Sequence, residues 1–545
     1  MPPTMMRKLR VGRWGIGCGA GFLLGGSLNT LATDAAAVGK AFSGAFSGVS
    51  DVLGSSRLRV VSWNVAAVNN NPFEYWITHP NPAYKQLMEA VEQFITEPGE
   101  DDVMVHELFT DQMFQKLLGR MSEAGIEELV AAEDIWERHY RSRRVVSEFL
   151  RDPVIGKKRL ASMPDRITNT IQLASGGKVF RPTVINCYGE DMGSLTTWFD
   201  SWLKFFFDTK VDVDGKGPKP VHSLLQHIRQ SKYPAVSKEE EAASIPLQLV
   251  MQGIFDSILV NLMQKKGGDT WQGLRRDICI SLNSKKNERV MEILSTTYQD
   301  VDVVFLQEAG NELLTFLGRG YATTHHVVVP RSYSNKRAQN SIMLLRRTAF
   351  TTPEEVDIPA DGWEAGDLLV VRSQVQIVPG SPELTLASFH GDTNGLLTKP
   401  MLSQVWKHLP TKRLVFGMDA NTHERKSEST AHVTDFQNFY EGLGLQAAWG
   451  KDNLHTTFNA RTYLQPQLNK AAKSSELTEK GDRNPKDFVL CTSHFKVGAA
   501  RRDNTGSGTY LEDVVFPSLE LPSDHAAVSV DLLMLPELAS EGGEL

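Results

Sequence analysis

The sequence predicts an α/β protein in which a long helical stretch separates the first strand from all the others. Short apolar runs with strand rhythm occur near residue 60 and again from about residue 300 to residue 533. Between these regions, from about residue 76 to residue 275, apolar residues recur at helical spacing with charged residues between them. The chain has 545 residues, of which 41% are hydrophobic, so it can bury a sizeable core.

Charge and cysteine content restrict the classes of partner. The formal net charge is -7, so no global basic field attracts nucleic acid and any basic patch must be local. The four cysteines, Cys18, Cys187, Cys279 and Cys491, form no CxxC pair and have no metal-binding spacing. We therefore expect free thiols rather than a disulfide framework.

Residues 1–56 differ from the rest of the chain. Four basic residues between positions 7 and 13 precede any acidic residue, and an apolar, glycine-rich stretch follows over 14–28. This pattern is typical of a signal peptide or an organelle transit peptide, and a short membrane anchor or a plain tail is also compatible with it. The small residues of 34–56 indicate a linker. The sequence thus suggests an organelle, secretory or membrane-associated destination without choosing one.

The first strand is predicted over 58–64 and ends in Asn64. This amide lies either at the rim of a sheet or at the start of an asparagine-rich turn over 69–72. The helical stretch that follows has its clearest helices over 84–95, 195–207 and 245–263. The aromatic run in the second of these predicts the core of a helical bundle, and docking of a partner or membrane surface is the alternative.

A buried strand is predicted over 302–308, after a helix over about 284–298, and it ends in Glu308. A carboxylate directly after an apolar run is costly unless it faces a cation or solvent. Glu308 is therefore a candidate ligand for a hard metal ion. The alternative is an acid at the N-terminus of the next helix, predicted from residue 311.

The following apolar runs, over 327–329, 339–345 and 368–375, predict successive strands of an antiparallel meander. A further strand over 384–390 ends in His390. A histidine at a strand tip can donate to a phosphate oxygen or titrate near neutral pH. A surface or packed histidine is the alternative.

In the stretch 413–424, several polar residues follow directly after a short apolar run. A short buried strand over 414–416 stops at Gly417, and Asp419 and Asn421 then point the same way if the backbone stays extended. The carboxylate can accept a proton from water, and the amide can donate to a charged oxygen. A capped turn is the alternative, because Asp and Asn are common turn residues.

The C-terminal region adds further polar residues at strand ends. Asp487 opens a strand predicted over 486–491, and Asp524 and His525 precede the last strand, over 526–533. The loop over 464–485 contains a basic cluster, formed by Lys470, Lys473, Lys480 and Arg483. This cluster either contacts a polyanion or is simply solvated. An acidic tail is predicted over 536–545.

Six fragments in this order carry a resemblance to a known family. They are Ser62-Trp-Asn64, Leu306-Gln-Glu308, Phe389-His390, Gly417-Met-Asp-Ala-Asn421, Lys486-Asp-Phe-Val-Leu490 and Ser523-Asp-His525. Together they resemble the endonuclease/exonuclease/phosphatase superfamily, whose fold is called DNase I-like. The resemblance covers about 58–72 and 284–533, and it leaves out the N-terminal segment and the helical stretch.

The resemblance implies a four-layered α/β/β/α sandwich formed by 57–72 and 281–535. In the family one short helix usually separates the Asn strand from the Gln-Glu strand, whereas here 243 residues lie between Asn64 and Glu308. Residues 73–280 are therefore interpreted as a large helical insertion after the first strand. Because it leaves from the end of that strand, the insertion either caps the active site or serves as a scaffold without substrate contact.

The resemblance also implies metal-assisted hydrolysis of a phosphoester. Glu308 would bind Mg²⁺ or Mn²⁺ with support from Asn64, and Asp524 would lie in or next to the metal's ligand shell. His525 and Asp419 would share the activation of water, and Asp487 would orient the His525 ring. His390 and Asn421 would hold phosphate oxygens.

The substrate class implied by the family is broad. The first hypothesis is a nuclease, cleaving internally or from an end, that acts on nucleic acid or another phosphodiester. The second is a phospholipid or inositol-phosphate hydrolase. A third, from another class, is a catalytically silent scaffold that binds a partner through the helical insertion. The sequence does not indicate which oligomeric state the protein adopts.

Overall fold

The computed structural model describes residues 57–334, 337–464 and 481–535. The targeting segment predicted over 1–56 and the acidic tail predicted over 536–545 lie outside these residues. The basic cluster of the loop over 464–485 also lies mostly outside them, except for Arg483. That guanidinium pairs with Asp513 at 3.0 Å and lies over the Phe458 ring, so it is engaged within the protein.

A first six-stranded sheet is built around the N-terminal strand. β1 (Arg57–Asn64) pairs parallel to a strand that follows some 240 residues later and antiparallel to the last strand. The other strands of this sheet are β6 (Val303–Ala309), β7 (His325–Val328), β8 (Asn340–Arg346), β17 (Phe495–Asp503) and β18 (Ala527–Met534). The strand order is β17-β18-β1-β6-β8-β7. Residues 60–64 of β1 are all buried, as expected for a central strand covered on both faces.

The second sheet also has six strands, which are β9 (Glu354–Glu355), β10 (Leu368–Gln374), β11 (Glu383–His390), β12 (Leu414–Asp419), β13 (Leu445–Ala447) and β16 (Asp487–Thr492). Their order is β13-β16-β12-β11-β10-β9, and β14 (Thr457–Asn459) and β15 (Asp482–Asn484) form a separate two-stranded sheet. β11 and β12 are parallel, and the other neighbouring pairs are antiparallel. The mixed α/β class predicted from the sequence is confirmed.

The predicted antiparallel meander is wrong. β7 and β8 are neighbours in the first sheet, but β10, the next long strand, pairs with β9 and β11 in the second. The spacing of apolar residues along a strand indicates which faces of the strand are buried. This spacing does not indicate which other strand lies beside it.

The two sheets share one hydrophobic core. Val60 and Phe305 of the first sheet belong to the same buried cluster as Val415 and Val489 of the second. The sheets approach each other closely at Gly417, where a β-carbon would overlap the Phe305 side chain. Glycine is therefore required in β12 by the packing of the sheets rather than by a turn.

The segment between β1 and β6 is mainly helical. Its helices are α1 (Pro82–Thr96), α2 (Val105–Leu108), α3 (Asp111–Glu123), α4 (Leu129–Ile135), α5 (Pro153–Lys158), α6 (Ser162–Thr168), α7 (Leu195–Phe207), α8 (Lys238–Ala242), α9 (Ser244–Gly267), α10 (Trp271–Cys279) and α11 (Lys286–Thr296). Two short hairpins that the sequence did not predict lie among them, β2 (Thr170–Gln172) with β3 (Lys178–Phe180) and β4 (Lys210–Val211) with β5 (Lys219–Pro220). The helices predicted over 84–95, 195–207 and 245–263 are confirmed as α1, α7 and α9.

Three further helices complete the two-sheet region. They are α12 (Asn311–Gly320), α13 (Thr398–His408) and α14 (Val433–Gly442). Apolar residues of α13 and α14 share a buried cluster with the second sheet, and those of α11 and α12 share one with the first. Each sheet is thus in contact with helices as well as with the other sheet.

Helix α9 is the centre of the helical segment. It is long and apolar enough to cross a membrane by length and composition, but 94% of its most apolar window is buried inside the protein. The aromatic side chains of α7 pack in the same buried cluster, so the prediction that they form core is confirmed. α9 is apolar all round because neighbours cover every face of it.

A buried ion pair joins α9 to the rest of the helical segment. Arg181 is fully buried, and its guanidinium donates to Asp256 at 2.9 Å and to Asp165 at 2.6 Å. Asp256 also accepts from the Trp202 indole at 3.0 Å and from the Thr183 hydroxyl at 2.7 Å. Burial raises the pKa of Asp256 despite the adjacent guanidinium.

We expect Arg181→Met to lower the free energy of unfolding by about 3–5 kcal/mol, because it leaves two buried carboxylates without their cation. Denaturant unfolding followed by tryptophan fluorescence measures this change. Arg120→Met is the matched control, because it breaks a more exposed pair with Asp208 and should cost less than about 1 kcal/mol. Equal effects of the two substitutions would contradict the prediction.

Two cysteines of the helical segment form a disulfide. Cys187 is bonded to Cys279, which ends α10, and the two are 92 residues apart in the sequence. The expectation of free thiols is wrong for this pair, because folding of the intervening helices brings together residues whose spacing gave no signal. Cys491 is free and buried in β16.

Candidate active site

Four strand ends bring polar residues to one rim of the two sheets. His390 ends β11 and is paired in register with Asp419 at the end of β12. Asp419 in turn faces Asp487, the first residue of the antiparallel β16. Asn64 ends β1 in the other sheet, and its amide donates to Asp419 at 2.9 Å. The side chains of both sheets therefore meet directly.

Glu308 enters this site through a backbone irregularity. The pairing of β6 with β8 shifts register between Leu306 and Ala309, and Glu308 has a φ of 54°. This left-handed conformation is unusual for glutamate and is the kind of strain found at functional sites. It turns the carboxylate toward the rim, where it accepts hydrogen bonds from the Ala67 N–H (2.7 Å) and the Asn64 amide (3.2 Å).

The charge state of Glu308 follows from its neighbours. Burial alone would raise its pKa, but the contact with His390 Nε2 at 3.2 Å and the Ala67 N–H bond outweigh burial. The pKa of Glu308 therefore lies well below its usual range. The Glu308 carboxylate contacts Asn64, Ala67 and His390. These contacts differ from those of an acid at a helix N-terminus, which was the predicted alternative.

Asp419 is the centre of the hydrogen-bond network. It is 1% exposed, and one carboxylate oxygen accepts from Asn64 while the other accepts from the Asn421 N–H at 2.8 Å. His390 Nε2 lies 3.6 Å and His525 Nε2 3.8 Å from its Oδ2 atom. Two imidazoles therefore converge on a single carboxylate oxygen.

His525 is held by a buried carboxylate. Its Nδ1 atom lies 2.9 Å from Asp487, and burial raises the pKa of that carboxyl group. Burial alone would lower the pKa of His525, but Asp487 and Asp419 outweigh it and raise the pKa to about 10. The turn before β18 is tied to β1 through Ser523, whose hydroxyl donates to the Asn64 carbonyl at 2.7 Å.

His390 has a similar balance. Burial alone would lower its pKa, but the Glu308 carboxylate in hydrogen-bond contact and the nearby Asp419 raise it above the ordinary value. His390 is 9% exposed and is therefore not the surface histidine considered as the alternative.

Asn421 and Asp524 are placed differently from the other candidates. The Asn421 amide donates to the Gly391 carbonyl at 3.1 Å and accepts from Lys486 Nζ at 2.9 Å, so both of its polar atoms are already engaged. The Asp524 carboxylate makes no hydrogen bond to any described residue, and it lines a cleft together with Glu308. The sequence predicted that the side chains of Asp419 and Asn421 face the same volume. In the structure, the backbone N–H of Asn421 donates to the Asp419 carboxylate instead.

The cleft also contains residues that the sequence did not single out. Its volume is about 220 Å³, and Tyr75 and Lys286 line it. Lys286 is buried, donates to the Pro522 carbonyl at 2.6 Å, and has its pKa lowered by burial to about 8. A buried lysine at the start of an amphipathic helix is a weak signal that could have drawn attention to it. Tyr75 gave none.

Two groups of side chains in the site could hold a metal ion. Glu308, His390 and Asp419 each offer one ligand atom, and these atoms lie within 4.8 Å of one another. A second group with the same property is Asp419, Asp487 and His525, but there the Nδ1 atom of His525 is already held by Asp487. The two carboxylates of the Glu308 group, together with the unbonded Asp524 carboxylate that lines the same cleft as Glu308, offer the oxygen ligands that a hard metal ion prefers.

A comparison with protein families finds one match outside the two-sheet region. Residues 102–276 match a domain of unknown function, DUF8234. This range lies between β1 and β6, so the helical segment is similar to a domain already described from sequence. No curated protein matches this chain.

Solved structures similar to this chain include members of the endonuclease/exonuclease/phosphatase family. One from Bacteroides thetaiotaomicron is 16% identical, with 46% of this chain and 88% of that chain covered and a TM-score of 0.31. D. rerio TDP2, solved with a single-strand DNA product, is 15% identical, with coverages of 46% and 94% and a TM-score of 0.32. The human Nocturnin catalytic domain is 13% identical, with coverages of 46% and 88% and a TM-score of 0.30.

Proposed function

We propose that this protein is a metal-dependent phosphodiesterase of the endonuclease/exonuclease/phosphatase type, and most specifically a nuclease. One observation carries the proposal. Asn64, Glu308, Asp419 and His525, spread over more than 460 positions, share one hydrogen-bonded and electrostatic network at the rim of two packed sheets. The proposed architecture is the four-layered α/β/β/α sandwich, with 73–280 as an insertion after the first strand.

The proposed metal ligand is Glu308, oriented by Asn64 and the Ala67 N–H, with Asp524 in or beside the ligand shell. Mg²⁺ or Mn²⁺, if bound there, would neutralise the charge that develops on the phosphoryl group. Asp419 and His390 complete the polar wall around this position. The carboxylates of Glu308, Asp419 and Asp524 are the support for the ion.

His525 is the proposed proton carrier. Asp487 holds Nδ1, which leaves Nε2 without a hydrogen bond to any described residue and 3.8 Å from Asp419. Both Asp419 oxygens already accept hydrogen bonds, so we assign Asp419 to orienting the attacking water. His525, whose raised pKa favours the protonated ring, is assigned to giving its Nε2 proton to the leaving oxygen and taking one back from the attacking water. Asp487 then acts through the ring, by fixing its tautomer and orientation. His390 is proposed to hold a phosphate oxygen, and Asn421 to hold the loop next to it.

The test is hydrolysis of bis(4-nitrophenyl) phosphate with Mg²⁺ or Mn²⁺, before and after treatment with EDTA. We expect turnover that EDTA abolishes and that either ion restores, because the carboxylates of the cleft need a cation to bind an anionic substrate. Single-stranded DNA, RNA, inositol phosphates and sphingomyelin then form a substrate panel, with nucleic acid expected to be cleaved. Activity that persists in EDTA would contradict metal dependence. No turnover with any substrate or ion would favour the scaffold.

A further inference from the structure

A basic groove lies in the helical segment, outside the catalytic cleft. It has a volume of about 1,040 Å³ and is formed by the end of α1, the turn over 145–150, helices α5 and α6, the loop over 232–235 and Tyr463. Five cationic side chains line it: Arg151, Lys157, Arg159, Arg166 and Lys232. A chain with a net charge of -7 thus concentrates positive charge at one concave site.

The cations of the groove lack carboxylate partners among the described residues, and Arg151 instead donates to the Thr96 carbonyl at 2.6 Å. None of the five side chains forms an ion pair with a carboxylate of the described residues. Asp152 is the one acidic residue among the described residues of the lining, and its carboxylate is already held by Arg143 and the Val154 N–H, both at 2.7 Å. Many other surface cations of the segment are paired, Arg120 and Arg141 among them. The groove therefore favours an anionic ligand.

The floor of the groove is aromatic. Phe149 and Phe255 are buried beneath it, while Tyr233 and Tyr463 are half-buried and line it. Lys232 lies over the Tyr233 ring, with its Nζ atom 5.6 Å from the ring centroid. Cations beside aromatic faces are the combination that binds single-stranded nucleic acid, because phosphates meet charge and bases meet rings. A purely phosphorylated small molecule would use the cations and leave the apolar floor without a partner.

The groove adjoins the catalytic cleft through one short segment. Tyr463 is two residues from Arg461, whose guanidinium lies over the ring of Tyr75, 4.8 Å from its centroid. Tyr75 lines the catalytic cleft with Glu308. Backbone hydrogen bonds from Trp76 to Ala460 (2.7 Å) and from Thr462 to Glu74 (3.0 Å) hold the two segments together. Residues 461–463 therefore connect the lining of the groove, at Tyr463, to the lining of the catalytic cleft, at Tyr75.

We propose that this groove binds the single-stranded nucleic-acid substrate at nucleotides remote from the scissile phosphodiester. The inference rests on the proposed function and specifies it, since it identifies the substrate as an extended strand and gives the helical segment a role in binding it. Binding energy from these nucleotides would add to affinity without taking part in the chemistry.

The test compares two triple variants of the full chain. The groove variant is Lys157→Ala/Arg166→Ala/Lys232→Ala, which removes three exposed side chains that make no hydrogen bond to the described residues. The control is Lys407→Ala/Lys451→Ala/Lys496→Ala, which changes the net charge equally at exposed lysines elsewhere. Binding of a short fluorescein-labelled single-stranded oligodeoxynucleotide is measured by fluorescence anisotropy in EDTA at several salt concentrations.

We expect the groove variant to raise the Kd about tenfold or more and to reduce the slope of log Kd against log salt by about 2, from three lost phosphate contacts. The control should keep the wild-type Kd, and both variants should hydrolyse bis(4-nitrophenyl) phosphate at the wild-type rate. Equal oligonucleotide affinity in the groove and control variants overturns the inference. So does a groove variant that loses binding to phosphatidylserine vesicles but not to the oligonucleotide.

The same measurements separate this inference from the proposed function. If the wild-type protein hydrolyses no phosphodiester with Mg²⁺ or Mn²⁺, the proposed function is wrong and the groove loses its role as a substrate site. If the enzyme is active and the groove variant still binds the oligonucleotide normally, the groove alone is wrong.

Discussion

Replacing His525 with alanine is expected to lower kcat/KM for phosphodiester hydrolysis by about 10²–10⁴-fold, the usual contribution of a positioned acid–base group. The Nδ1 atom of His525 contacts Asp487, and its Nε2 atom faces Asp419, where the proposed reaction takes place. The measurement is initial rates on bis(4-nitrophenyl) phosphate at saturating Mg²⁺ or Mn²⁺.

The fold should survive this substitution. The side chain of His525 bonds only to Asp487 among the described residues, and burial already raises the pKa of that carboxyl group. Asp487 can therefore become neutral by taking up a proton when its partner is lost. Circular dichroism should match the wild type. His408→Ala, at the end of α13 and bonded to its own helix, is the control. A His525→Ala variant with wild-type turnover would refute the assignment.

Replacing Glu308 with glutamine is expected to lower kcat/KM by about a thousandfold, which corresponds to about 4 kcal/mol of transition-state stabilisation. Glutamine keeps the size of the side chain and removes its charge, so the loss reports the carboxylate itself. The second readout is Mn²⁺ affinity by titration calorimetry, which should fall because the main anionic ligand is gone. Glu308→Ala should lose at least as much activity.

The matched control for this substitution is Glu312→Gln. Glu312 lies in the first turn of α12, so it occupies the helix N-terminus that the sequence offered as an alternative place for Glu308. The Glu312→Gln substitution should leave both activity and Mn²⁺ affinity near the wild-type values. If Glu308→Gln binds Mn²⁺ as tightly as Glu312→Gln does, Glu308 is not the metal ligand.

Much of the candidate site could be predicted from local sequence. Strands with an apolar body and a polar last residue placed Asn64, His390 and Asp419 at sheet rims, because burial of the body fixes where solvent or a site begins. Asp487 was found by the same pattern at the start of its strand. The roles assigned to these residues, the boundaries of the insertion and the destination indicated by 1–56 stay predictions.

Other features depended on contacts that no local pattern encodes. The contacts of the Glu308 carboxylate depend on the backbone at residue 308, which has a positive φ, and on the Asn64 amide and the Ala67 N–H that donate to it. Asn421 was expected to face the substrate, yet its amide is engaged by Gly391 and Lys486. Both outcomes depend on atoms supplied by other strands.

The sequence by itself determined the class of the fold, the helical character of the segment after β1, and the chemistry of the residues at the strand ends. Tertiary structure alone decided that β8 and β10 belong to different sheets, that Cys187 meets Cys279, and that scattered cations form a groove beside Tyr463. The physical reason is that periodicity records how one segment is buried. Pairing between distant segments is set by the packing of the whole chain.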